Sequence, residues 1–150
     1  FRADTPAREV PLLDHLRDDG PGLFDIDLQV TLAPEGQPAT TITRTNYREI
    51  YFSAAQQLAH HASSGCPMNA GDLLGSGTIS GPGKPERGSL LELSWGGEEP
   101  LTLDTGEIRS FLQDGDTLTL TGHAQGDGYR IGFGACSGQV LPALKDPYRP

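Results

Sequence analysis

Phe24, Ile26, Leu28, Val30 and Leu32 alternate with Asp25, Asp27, Gln29 and Thr31. This period of two predicts a strand with one wet face. Pro34-Glu35-Gly36 offers a turn, and residues 40–44 can return as the hairpin partner. From Asn46 the period lengthens: Ile50, Ala54, Leu58 and Ala62 recur every four residues, with Tyr51 and Ala55 widening the stripe. An amphipathic helix is therefore expected over 47–63, capped by Asn46 with Glu49 three places on and left through Gly65 in a left-handed conformation. Residues 1–22 show no sustained period and read as an irregular arm that leans on other surface.

Beyond Gly71 come short β-type runs at 73–80, 89–95, 101–103, 108–112, 117–121, 129–133 and 139–141. Gly96-Gly97, Thr105-Gly106, Asp114-Gly115 and Gly126-Asp127-Gly128 punctuate them as turns. In the run 89–95, strand alternation puts Leu91, Leu93 and Trp95 on one face and Leu90, Glu92 and Ser94 on the other. The expected fold class is α+β, mainly β: a β-sandwich or roll with one covering helix, divided into arm 1–22, hairpin 23–45, helix 46–64, β-rich segment 71–143 and tail 144–150.

Composition sharpens this picture. Four of the 20 glycines lie in residues 1–70 and sixteen in 71–150, so the second half is the turn-rich one. Leu, Ile, Val and Phe make up only about a fifth of the 150 residues, which implies a thin core. Eleven Lys and Arg stand against 20 Asp and Glu, and a net charge of −9 disfavours nucleic acid and anionic lipid as partners. No apolar run approaches the roughly 18 residues of a membrane span. Cys66 and Cys136 lack metal-ligand spacing and read as reduced thiols of a cytosolic protein. Phe1-Arg2-Ala3-Asp4 has neither a start methionine nor a signal pattern, so the chain reads as cut from something longer.

Several places carry candidate chemistry. Gly75-Ser76-Gly77-Thr78-Ile79-Ser80-Gly81-Pro82 combines glycines, which let backbone approach a ligand, with three hydroxyls; it is either a ligand loop or a strand edge with its turn. Glu92 is a carboxylate in an apolar run. If its face lines a cleft it can orient a histidine, and if it faces water it is ordinary decoration. Gly134-Ala135-Cys136-Ser137-Gly138 matches a nucleophile elbow with cysteine, but the prolines behind it deny the following helix, so Cys136 is expected to be buried in a strand turn. Asp25 and Asp27 share a strand face but lack the further oxygen ligands a hard cation takes. His60 and His61, with Cys66 beyond, point about 100° apart and cannot converge on one ion; a favourable charge at the helix end is the plainer role. Gly126-Asp127-Gly128-Tyr129-Arg130-Ile131-Gly132 misses the dinucleotide fingerprint and reads as a tight β-turn.

Taken in order, Gln56-Gln57-Leu58-Ala59-His60-His61, Gly71-Asp72-Leu73-Leu74, Gly77-Thr78-Ile79-Ser80-Gly81-Pro82, Leu91-Glu92-Leu93-Ser94-Trp95, Gly126-Asp127-Gly128-Tyr129-Arg130-Ile131-Gly132-Phe133-Gly134 and Val140-Leu141-Pro142-Ala143 closely resemble the C-terminal part of the catalytic domain of the fumarylacetoacetase family. The resemblance implies a hydrolase that cleaves a carbon–carbon bond of 4-fumarylacetoacetate, giving fumarate and acetoacetate, the last step of tyrosine and phenylalanine catabolism. It further implies a divalent cation, Mg²⁺ or Ca²⁺, and a cytoplasmic homodimer. Matched motif to motif, Glu92 takes the role of orienting the histidine base and Thr78 that of binding substrate. None of His15, His60, His61 and His123 matches the base, and Asp25 and Asp27 do not match the metal carboxylates; the family places both upstream. The segment alone is therefore expected to be inactive, with no metal ligands of its own and with the missing N-terminal part of the same enzyme as its partner. The alternative is a non-catalytic module that uses the roll and the Thr78 loop to hold a small acid or assemble with a partner chain.

Overall fold

The computed structural model of the chain describes residues 1–18, 20 and 22–145, so most of the tail expected at 144–150 lies outside the described residues. Its scaffold is an antiparallel sheet of four strands, in the order β4 (Thr40–Asn46), β3 (Asp27–Ala33), β7 (Thr117–Gly126) and β8 (Tyr129–Gln139). The alternating run forms β3, its hairpin partner is β4, and the long C-terminal hairpin is β7 with β8. Two small pairs accompany it: β1 (Arg2–Ala3) on β2 (Leu23–Phe24), which folds the arm back, and β5 (Leu101–Thr102) on β6 (Ile108–Arg109). The turns fall where glycine allows them, with Gly36 at φ 70° between β3 and β4 and Gly128 at φ 74° between β7 and β8.

The helix is shorter than its periodicity predicts. Asn46 does cap, its side chain accepting from the N–H of Arg48, but what it caps is a single 3₁₀ turn, Tyr47–Glu49. The α-helix proper, α1 (Ala54–Ser63), begins at Ser53, where Ser53 and Gln56 form a reciprocal capping box. Two N-terminal signals compete here, and the second wins because Gln56 is also buried, donating to the carbonyl of Leu16 at 2.8 Å and accepting from Arg8 at 3.0 Å. Gly65 supplies the left-handed exit at φ 82°.

Two strands expected from the sequence are absent. Residues 73–80 form no strand and lie largely exposed. Residues 89–95 coil into the short helix α2 (Leu90–Leu93), followed by a 3₁₀ turn, Trp95–Gly97. The cause is local: Ser89 Oγ accepts from the N–H of Glu92 and Ser94 Oγ from that of Gly97, so two serines serve as successive caps. Coiling scatters the supposed strand face, leaving Leu93 buried while Leu91 and Trp95 are exposed.

Among the described residues the buried apolar set is short: Leu16, Leu23, Leu32, Leu93, Leu103 and Ala124. Each leucine contributes roughly 1.5–3 kcal/mol. Large side chains such as Phe133, Ile131, Leu120 and Tyr129 stay exposed, and β8, one of the two outer strands of the sheet, is exposed along its length. A buried ion pair reinforces this small core. Arg109 at the end of β6 grips Asp116 through two bonds, Nε to Oδ2 at 2.9 Å and Nη2 to Oδ1 at 3.0 Å, and the N–H of Gln113 adds a third to Oδ2 at 2.9 Å. Burial would raise the Asp116 carboxyl, but the guanidinium and the Gln113 N–H outweigh it and hold the group below the ordinary carboxylate range. The sequence reading singles out neither residue.

Candidate active-site segment

Glu92 is gripped separately by backbone and side chain. Its N–H caps onto Ser89 Oγ at 3.2 Å, and its carbonyl accepts from Arg87 Nη1 at 2.8 Å. Ser80 Oγ donates to Glu92 Oε2 at 2.5 Å. The N–H of Gly88 reaches Ser80 Oγ at 2.9 Å and the same carboxylate oxygen at 3.2 Å. Among the described residues no donor meets the second oxygen, Oε1. One acceptor of the carboxylate is thus committed and the other is open.

The surrounding backbone is held close to this carboxylate. Thr43 Oγ1 on β4 donates to the carbonyl of Pro85 at 3.0 Å, which pins the turn 83–86 to the sheet. Gly88 packs so tightly that a Cβ there would lie 2.5 Å from the carbonyl oxygen of Ile79 and 2.8 Å from its nitrogen. Trp95 adopts φ 49°, a strained value for so large a residue, with the Arg87 guanidinium 5.5 Å from its ring centroid.

Thr78 is exposed on the strandless stretch before this cluster and lines a cavity of about 420 Å³ with Leu28, Val30, Thr45, Gly88 and Leu120. A second cavity of about 400 Å³ shares Val30, Thr43, Gly88 and Leu120 and runs on to Leu90 and Leu93. Together they make an apolar cleft between one sheet face and the segment 77–93, with a few polar groups at its edges, the profile of a small-molecule site. Thr45 Oγ1 is buried there with no hydrogen-bond partner among the described residues. Gly88 is the junction: Thr78 lies on its cleft side, and Glu92 is bonded to it from outside the lining. The structure therefore brings the two sequence-predicted site residues to either side of one glycine.

Other candidates resolve differently. Asp25 lies ahead of β3 rather than in it, and both aspartates converge on the amide of Asn46, whose Nδ2 donates to Asp25 at 2.7 Å and to Asp27 at 3.1 Å. Asp27 also faces His123 Nε2 at 3.3 Å. Among the described residues no group of three or more His, Cys, Asp or Glu side chains could hold a metal ion. The described residues thus supply no cluster of ligands for the cation that the resemblance implies. His60 turns away from His61 and meets His15 instead, Nδ1 to Nε2 at 3.3 Å. Cys136, expected to be buried in a strand turn, is exposed within β8. The strand runs unbroken through it because Gly134, at φ 77°, absorbs a register shift against β7 in place of an elbow.

Sequence reasoning missed Ser80, Arg87 and Gly88 as parts of the cluster. Ser89-Leu90-Leu91-Glu92 did hold a signal, since a serine followed three places on by glutamate marks a helix start. Reading it so would have placed Glu92 in the first turn of a helix, facing back toward the preceding loop.

Residues 10–141 match the model of the fumarylacetoacetate (FAA) hydrolase C-terminal family, and the chain belongs to that family. It is 50% identical to the fumarylacetoacetase of Homo sapiens over 145 residues, covering 96% of the chain and 35% of that protein. Against the fumarylacetoacetase of Caenorhabditis elegans identity is 49% over 144 residues, and against that of Arabidopsis thaliana 44% over 144 residues, each covering 95% of the chain and 34% of the relative. The chain thus spans about 35% of the length of the curated relatives it matches. Among the described residues no helix is long and apolar enough to cross a membrane.

Proposed function

We propose that the chain is the C-terminal catalytic segment of a hydrolase that cleaves 4-fumarylacetoacetate to fumarate and acetoacetate. In this reaction water adds to the fumaryl carbonyl carbon. The bond from that carbon to the neighbouring methylene then breaks, and the departing carbanion, delocalised over its own carbonyl, takes a proton to become acetoacetate. A histidine outside residues 1–150 would take the proton from water, and Glu92 would hold that histidine through its open oxygen, keeping the ring in the required tautomer. Thr78 would contact the substrate at the mouth of the cleft. A divalent cation, Mg²⁺ or Ca²⁺, would be held by carboxylates outside this chain and would supply charge stabilisation for the diketone. We further propose a cytoplasmic homodimer as the working form, with no turnover by residues 1–150 alone.

The observation that supports the reading is the half-committed carboxylate: Glu92 is fixed through Oε2 and leaves Oε1 without a donor among the described residues. In the polypeptide that joins this segment to the upstream portion its relatives possess, Glu92→Gln is expected to lower kcat by about 10²–10⁴. The assay is the loss of diketone absorbance; an unchanged kcat removes Glu92 from the mechanism.

A further inference from the structure

We infer that Ser80 is a positioning residue for this reaction, acting through Glu92, and that Gly88 is the backbone group that fixes Ser80. The inference rests on the role proposed for Glu92 and adds the device that aims it.

A glutamate side chain has three rotatable bonds, and an orienting carboxylate must hold one oxygen steady while the other meets the histidine. Neither α2 nor its cap can do this, because both grip only the backbone of Glu92. Among the described residues Ser80 is the one side chain that holds its carboxylate, through the 2.5 Å bond to Oε2. A hydroxyl can rotate, so the direction of its proton has to be set as well. The N–H of Gly88 sets it: at 2.9 Å it occupies a lone pair of Ser80 Oγ and leaves the single hydroxyl proton for the carboxylate. The same N–H reaches Oε2 at 3.2 Å, closing a three-membered arrangement around one oxygen.

Gly88 can approach this closely only without a side chain, since a Cβ would strike the backbone of Ile79 at 2.5 Å. Any side chain at 88 would have to move residues 79–80, and therefore Ser80 itself. The glycine also lines both lobes of the cleft, so the aiming device and the substrate space share a wall. Ser80 touches neither the proposed substrate position nor the base, which makes its effect indirect.

The test is a double-mutant cycle in the full-length enzyme, with the diketone assay and a thermal melt on every variant. Ser80→Ala is expected to lower kcat by about 10- to 100-fold, the range for partners that orient a functional group, with KM changed less than about twofold. Ser80→Thr, which keeps the hydroxyl, is expected to recover most of the loss. On the Glu92→Gln background Ser80→Ala is expected to add nothing further, because the two act as one unit. If Glu92→Gln lowers kcat but Ser80→Ala leaves it unchanged, or lowers it by the same factor in both backgrounds, Ser80 has no positioning role and Glu92 keeps its own. If Glu92→Gln leaves kcat unchanged, the proposed function has failed first. Should Ser80→Ala not fold, Ser80→Thr and Ser80→Cys decide: a thiol donates weakly, so Cys falling well below Thr at equal melting temperature supports the inference, and equal rates overturn it.

Discussion

Asp116 and Glu92 are both carboxylates tied down by hydrogen bonds a few residues from a tight turn, yet they are finished differently. Asp116 is 1% exposed and both of its oxygens are taken, by a two-pronged guanidinium and a backbone N–H. Its backbone joins in: the carbonyl of Asp116 accepts from Val140 and the N–H of Gly115 donates to the Val140 carbonyl, each at 2.8 Å, so the turn before β7 is stitched to the chain just after β8. Glu92 is only half-buried and has one oxygen committed. A closed cluster holds a fold together and can do little else. An open one gives up part of that contribution and keeps an acceptor for another molecule or another part of the chain.

The strongest way to break this contrast is to remove the closed carboxylate. Arg109, whose side chain is 8% exposed, loses two bonds in Asp116→Ala and keeps the part-exposed Glu107 at 2.7 Å as its remaining carboxylate partner. The expected cost is about 3–5 kcal/mol of stability, the penalty of stranding a buried charge. Chemical denaturation at neutral pH measures it. Replacing the pair together, Arg109→Met with Asp116→Leu, is expected to restore most of the loss, since apolar residues of similar volume leave no buried charge unpaired and Glu107, with its side chain 42% exposed, turns to water. If the double variant is no better than Asp116→Ala, the pair is not the source of the effect.

Acid makes a smaller and graded version of the same change. The folded carboxyl of Asp116 is held below its unfolded value, chiefly because its bonds to Arg109 outweigh burial. Its contribution is therefore present in full above the unfolded carboxyl value of roughly 3.9 and is lost as pH falls through the lower folded value. Arg109 is shifted upward by the same bonds, so its share is already full throughout the acid and neutral range. Wild type should lose stability as pH falls below about 4 more steeply than the Arg109→Met, Asp116→Leu variant, with denaturant midpoints taken at each pH. Parallel curves would show that Asp116 is not linked to acid unfolding.

The contrast also explains what could be read from the chain and what could not. β3 was legible because Leu28, Val30 and Leu32 alternate with polar residues between clear turn signals, and the β7–β8 turn because Asp127-Gly128 supplies the required positive φ. The run 89–95 was misread because Leu90, Leu91 and Leu93 fit both a strand and a helix over so short a length, and the deciding feature was the capping of Ser89. The start of α1 went wrong for a related reason: two S/N-x-x-E/Q patterns stand seven residues apart, and burial of Gln56 under the arm selected the second. At the site, Glu92 stands out as a carboxylate in an apolar run and Thr78 as a hydroxyl of a glycine-rich loop, while their particular roles come from family resemblance. Ser80 and Gly88 lie 12 and 4 residues from Glu92, and nothing periodic links them. The Arg109–Asp116 pair was invisible for the same cause, since its burial comes from packing on the end of β8.

Glu92 should look different from Asp116 in stability even where it matters most in activity. Glu92→Gln keeps an oxygen for Ser80 and Gly88, so only the charge on one hydrogen-bonded cluster is lost. The expected destabilisation is about 0.5–1.5 kcal/mol, well below that of Asp116→Ala. A loss as large as the Asp116 value would mean that the second oxygen is engaged after all and that the cluster is closed.

The smallest effect is expected where a carboxylate is neither closed nor reserved. Glu99 pairs with Lys84, and that hydrogen bond and charge hold its carboxyl below the ordinary range. Both side chains are about half-exposed, 51% and 55%, so water and salt reach the pair and weaken its attraction. A lowered carboxyl alone therefore says little; what separates Glu99 from Asp116 is the absence of any desolvated charge that would be stranded by substitution. Lys84→Gln is expected to leave the melting temperature unchanged within error at physiological salt, with any difference confined to low ionic strength. A salt-independent drop approaching that of Asp116→Ala would mean that the turn at 83–86 depends on this contact, and not on the bond from Thr43 to Pro85 that pins it to β4.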